Sequence, residues 1–111
     1  MTSSGKRLRE LIQAPEILVL PGAWDGLSAM LIEQAGFRGV YVTGGGIARS
    51  TGVPDIGLIT LNEQVAHVKM ICEVVAVPVL ADADTGYGNA INLMRAVREM
   101  EAVGTDRKSV V

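Results

Sequence analysis

Asp82 and Asp84 stand two residues apart where an apolar run, Pro78-Val79-Leu80-Ala81, comes to its end. Alternate residues of an extended chain project to one face, so the two carboxylates are expected to leave the run together. Carboxylates placed so closely repel each other unless a cation lies between them. Mg²⁺, a hard ion that prefers oxygen ligands and keeps several waters, needs only one or two protein carboxylates. The same pair also suits an exposed turn that caps the following helix, and spacing alone does not separate the two. The neighbouring Gly86 and Gly88, at the end of an apolar strand, add weight to the metal.

Thr43-Gly44-Gly45-Gly46 forms a second constellation. Consecutive glycines let backbone amides converge into an anion-binding nest, and the threonine hydroxyl adds a donor. A carboxylate or a phosphate fits, and so does a plain flexible turn. A dinucleotide fingerprint does not, because Arg49 occupies its third glycine position. Asp55, in Val-Pro-Asp-Ile-Gly, suits either a supporting acid or a loop residue bonded to its own backbone. His67 reads as a surface residue and Cys72 as core. Trp24 reads as rim packing or as the wall of a pocket.

Strands and helices must bring these groups together. Ser3 and Ser4 can cap a first helix running to about Gln13, with Leu8, Leu11 and Ile12 on one face. Ile17-Leu18-Val19-Leu20, closed by Pro21-Gly22, has the pattern of a strand buried on both faces. A helix is expected from about Trp24 to Ala35, with Leu27, Met30, Leu31 and Ala35 as its stripe and Gly36 at its C′ position. Gly39–Thr43 reads as the next strand, followed by a loop through Asp55 and Gly57. Thr60 to Glu63 fits a capping box. It opens a helix with Leu61, Val65, Val68, Cys72 and Val75 on one side. Pro78–Asp82 is the third strand and Ala83–Asn89 a glycine-rich loop. Ala90, Leu93, Val97 and Met100 mark a last helix, stopped by Gly104. Strands that alternate with helices need crossovers, which predicts a parallel sheet with its functional loops at the strand C-terminal ends.

The 111 residues, 49% apolar and 20% charged, suit one globular domain. A net charge of −2 with scattered basic residues argues against a nucleic-acid surface. No apolar run approaches the ~20 residues of a membrane span, and the polar start does not read as a secretory signal. A single cysteine fits a cytoplasmic setting. A fourth strand is due after Gly104, yet Asp106-Arg107-Lys108 stands there, and charges at a buried-strand position are costly. The expected division is residues 1–104 as the N-terminal part of a single barrel domain and 105–111 as a non-native or frame-shifted tail.

Pro21-Gly22-Ala23-Trp24-Asp25, Tyr41-Val42-Thr43-Gly44-Gly45-Gly46, Gly52-Val53-Pro54-Asp55-Ile56-Gly57 and Ala81-Asp82-Ala83-Asp84-Thr85-Gly86-Tyr87-Gly88-Asn89 together resemble the isocitrate lyase/phosphoenolpyruvate mutase superfamily. The methylisocitrate lyase-like and oxaloacetate decarboxylase-like branch is most similar. The resemblance implies a TIM-type (β/α)8 barrel of the phosphoenolpyruvate/pyruvate type, of which this chain holds the N-terminal helix and the first three β/α units. It implies Mg²⁺ at Asp82 and Asp84, directly or through water. It also implies a substrate carboxylate held by Thr43, Gly44 and Gly45, with Tyr41 and Asp55 lining or supporting the pocket.

The implied activity is Mg²⁺-dependent cleavage or decarboxylation at a carbon–carbon bond of a small 2-hydroxy or 2-oxo di- or tricarboxylate, through an enolate. A C–P bond mutase is the alternative within the superfamily, and a non-catalytic truncated fragment the alternative outside it. The parent is expected to be a homotetramer, with no nucleic-acid or membrane partner. Two features depart from the pattern. The Thr43–Asp55 loop is a residue short, and the fourth-strand segment and the loop that holds the lyases' catalytic cysteine are missing. Cys72 is no substitute, so the catalytic residues stay unassigned. A barrel of this kind needs roughly 250 residues, and three strands leave an open edge, so the chain is expected to be inactive alone and prone to aggregate.

Overall fold

The computed structural model describes residues 4–104 and 107–109, with side chains from Lys6 to Gly104. Its elements are α1 (Ser4–Gln13), β1 (Gly22–Ala23), α2 (Gly26–Gln34), β2 (Val40–Val42), α3 (Gly44–Ser50), α4 (Leu61–Val74), β3 (Val79–Asp82), α5 (Ala90–Ala102) and β4 (Arg107–Ser109). The strands form one parallel sheet in the order β1-β2-β3-β4. Helices bridge each strand to the next, as parallel pairing requires, and the class is α/β as expected.

The sheet supplies Val40, Val42, Val79 and Ala81 to the core, and the helices answer with Ala29, Ile47, Val68, Ile71 and Met100. The register sets Val40 beside Val79 and Val42 beside Ala81. The β2 and β3 ends therefore emerge level with each other, and Thr43 and Asp82 lie on the same rim.

Three expectations need correction. Ile17–Leu20 is not a strand: regular pairing begins at Gly22, and Ile17 and Val19 are 88% and 55% exposed. β1 pairs with β2 alone, so this run has no second neighbour to bury it. The α2 stripe faces outward, with Leu27 and Leu31 67% and 57% exposed, whereas Ser28 and Ala29 are buried. Asp25 sets that helix's start, since its side chain accepts from the Ser28 amide at 2.8 Å and the Ser28 hydroxyl receives the Asp25 amide in return. The small residues that follow let the helix approach the sheet. The third correction lies between Thr43 and Gly57, where the expected loop begins with a helix, α3.

The capping box at Thr60 and Glu63 is present, and Gly36 holds φ +94° just after α2. On α5 the buried residues are Ala96 and Met100, with Leu93 and Val97 half-buried and Ala90 exposed. Of the segment 105–111, Arg107–Ser109 pairs in parallel with β3, Leu80 opposite Arg107, and residues 105, 106, 110 and 111 lie outside the described residues. Among the described strands β4 lies at the edge of the sheet.

Candidate metal and carboxylate site

Asp82 closes β3, and the chain then turns: Asp84 adopts φ +51° and its amide donates to Asp82 Oδ1 at 2.8 Å. Asp82 and Asp84 reach the wall of one cavity through this turn rather than by strand alternation. Asp is among the few side chains that tolerate the left-handed region, where a short polar group can bond locally.

Thr43 caps α3, its Oγ1 accepting from the Gly46 amide at 3.2 Å. Gly44, Gly45 and Gly46 all have ordinary negative φ, so the run is a helix start rather than a left-handed nest. Its glycines are required for space. A Cβ on Gly44 would lie 3.2 Å from Asp82 Oδ2. One on Gly45 would meet Arg49 Nη1 at 2.9 Å and Asp55 Oδ2 at 3.0 Å. The first amides of a helix have no partner within it; Thr43 takes that of Gly46, and the absent side chains leave space between this helix start and the carboxylates of Asp82 and Asp55.

Tyr41 lies in the middle of β2 with its phenol near the Asp82 side chain. Burial first, then the charge and acceptor oxygens of Asp82, push its phenol above the ordinary 10.0. Tyr87 has φ +63°. Burial, Asp84 and Asp82, in that order, raise its phenol far above the usual range.

Gly44, Asp55, Asp82, Asp84, Tyr87 and Gln64 share the wall of a cavity of about 30 Å³, the volume of roughly one water or ion. A groove of about 570 Å³ adjoins it, sharing Asp84, Tyr87 and Leu58 and adding Asn92 and Arg95. The structure thus brings Asp82, Asp84, Asp55 and Gly44 together. It links Tyr41 through Asp82, and sets Thr43 and Gly45 one step back. Among the described residues no three His, Cys, Asp or Glu side chains converge as a metal cage. The donor set is two carboxylates with open space beside them, which fits a hard divalent ion that keeps most of its waters.

Sequence reasoning missed Gln64 and Tyr87. Gln64 is 2% exposed and donates from Nε2 to the Asp82 carbonyl at 3.1 Å. Its signal was a polar residue one turn ahead of Val68 on a buried face. Tyr87 stood inside the glycine-rich loop with no role assigned. Trp24 lines neither cavity, and its carbonyl lies 3.1 Å from His67 Nδ1. His67 is therefore half-buried, where a surface residue was expected. Cys72 packs against the core, as expected.

The profile of the phosphoenolpyruvate phosphomutase family matches residues 8–106. The chain belongs to this family. It is 48% identical over 103 residues to the 2,3-dimethylmalate lyase of Eubacterium barkeri, covering 92% of this chain and 36% of that protein. It is 48% identical over 100 residues to the 2-methylisocitrate lyase of Aeropyrum pernix, covering 90% and 32%. The solved structure of a phosphonopyruvate hydrolase in complex with oxalate and Mg²⁺ superposes with a TM-score of 0.89 at 32% identity, over 94% of this chain and 37% of that one. The fold is the N-terminal part of the superfamily's TIM-type barrel. This member of the phosphoenolpyruvate phosphomutase family spans about a third of the length of the curated relatives it matches. Among its described residues, no helix is long and apolar enough to cross a membrane.

Proposed function

We propose that the chain carries the metal and carboxylate subsite of a Mg²⁺-dependent carbon–carbon lyase or decarboxylase, methylisocitrate lyase-like, for small 2-hydroxy or 2-oxo di- and tricarboxylates. One observation carries this reading: Asp82 and Asp84 open into a single ion-sized cavity beneath the glycine start of α3. The lyase names of the two relatives, and the oxalate and Mg²⁺ named for the solved neighbour, support it.

Asp82 and Asp84 would hold the ion, directly or through water. When bound, it supplies positive charge against the negative charge that develops on substrate oxygen as the neighbouring bond breaks. The chain's own groups bind and orient. Thr43, Gly44 and Gly45 present a hydroxyl and helix-start amides to a carboxylate. Tyr41 lies beside Asp82 and keeps its carboxylate turned toward the cavity. Asp55 lines the far wall.

The test pairs calorimetric Mg²⁺ titration of the protein with that of Asp82→Asn and Asp84→Asn, and assays a full-length version, which carries the missing catalytic loop, on 2-methylisocitrate and oxaloacetate with and without EDTA. Mg²⁺ binding lost in both variants, and turnover abolished by EDTA, is the expected result. Turnover indifferent to EDTA overturns the metal role. Turnover of phosphonopyruvate alone would move the protein to the C–P bond branch, which the family's own description favours.

A further inference from the structure

We propose that Gln64 is a positioning residue for the two aspartates: its buried amide clamps the end of β3 in the orientation that turns both carboxylates to one ion. The inference rests on the reading of Asp82 and Asp84 as metal carboxylates, and adds to it a residue on another layer of the fold.

Gln64 sits on the inward face of α4, in line with Val68 and Ile71, and is 2% exposed. A primary amide in such a place is costly unless its donors are satisfied. Its Nε2 donates to the main-chain carbonyl of Asp82 at 3.1 Å, eighteen residues along the chain. This carbonyl belongs to the last residue of β3, immediately before the backbone enters the turn toward left-handed Asp84.

Asp82 is thus held at both ends. Gln64 fixes its peptide from the helix layer, while the Asp84 amide fixes its carboxylate from the rim. The clamp is stiff because Gln64 follows directly on the Thr60–Glu63 capping box that anchors α4. A side chain of equal length without donors would fill the space, yet leave the Asp82 peptide free to rotate and carry both carboxylates with it. Groups that orient metal ligands from behind typically change metal affinity by 10–100-fold when removed.

The experiment compares intact protein with Gln64→Met, Val68→Ala and Asp82→Asn, measuring Mg²⁺ affinity by calorimetry, hydrogen exchange at the Asp84 amide, and the thermal midpoint. Gln64→Met should bind Mg²⁺ roughly 10–100-fold more weakly and exchange the Asp84 amide faster. Val68→Ala, which opens a hole on the same face without touching Asp82, should lower the midpoint and leave both other readings alone. Equal losses in Gln64→Met and Val68→Ala would mean general loosening and overturn the proposal. So would wild-type Mg²⁺ affinity in Gln64→Met. If Asp82→Asn binds Mg²⁺ like wild type, or the wild type binds none, the metal reading itself falls. Asp84 exchange then decides: faster in Gln64→Met upholds the clamp, unchanged overturns it.

Discussion

Asp84, Gly86, Tyr87 and Gly88, four of five consecutive residues, all have positive φ. Such a stretch of left-handed backbone is held by its surroundings. Gly52 and Gly86 give a controlled comparison. At Gly52, φ is +84° and an added Cβ meets nothing within 4 Å, so Gly52→Ala should cost about 1 kcal/mol from backbone strain. At Gly86, φ is +94° and the Cβ would lie 2.8 Å from Leu93 Cδ1 and 3.1 Å from the Leu93 Cα. Gly86→Ala should therefore cost more, about 2–4 kcal/mol when strain and overpacking add. Urea unfolding of the two variants checks the order.

The tyrosines give a second test at this scale. There are two in the chain, and both are raised above 10.0. A raised folded value means that stability is fully present below pH 10.0 and is lost as the pH rises beyond it, when the unfolded chain ionises first. Absorbance at 295 nm should show no tyrosinate step at the ordinary value while the fold persists. A step there would show the phenols free of Asp82 and Asp84.

At the level of elements, helix starts were the most legible feature. The Thr60–Glu63 box and the Gly36 stop are local chemistry, complete within four or five residues, and sequence spacing captures them. What spacing could not show was which side of α2 meets the sheet. Leu27, Met30 and Leu31 make the stronger apolar stripe, yet the close approach of Ser28 and Ala29 turns them outward. The Ile17–Leu20 run failed for a similar reason, since its apolar pattern fits a strand covered on both faces, and here Ile17 and Val19 stay exposed beside the sheet's edge. At the site, the motifs placed Asp82, Asp84, Asp55 and Gly44 around one cavity, while Gln64 arrived from a helix distant in sequence.

Asp25 carries the prediction for α2. Its bonds from the Ser28 amide and hydroxyl hold its carboxyl below the ordinary 3.8. A lowered folded value contributes stability that is present above pH 3.8 and is lost as the pH falls through that lower value. Asp25→Ala should cost about 1 kcal/mol near neutrality, and the gap to wild type should narrow in acid. Unfolding at pH 6 and pH 3 measures both.

For the whole molecule, apolar surface is the dominant feature. Ile17, Leu27, Leu31, Ile91 and Met94 are each more than half exposed, which is unusual for a soluble monomer when such residues form contiguous patches. The chain as it stands should self-associate, with light scattering above the monomer mass and binding of a hydrophobic dye. Leu27→Lys with Leu31→Lys should shift it toward the monomer. A wild-type chain that elutes as a monomer and unfolds in one cooperative step would contradict this.

The strands also stand across the sheet in the order in which they are synthesised. Each β/α unit can add to an edge its predecessor has already laid down, and no strand must be threaded between two others. A ribosome releasing this chain from its N-terminus could therefore build the sheet a unit at a time. The strand that carries Tyr41 would reach the sheet before the one that carries Asp82, so the last pieces of the acidic cavity would close onto a wall already standing.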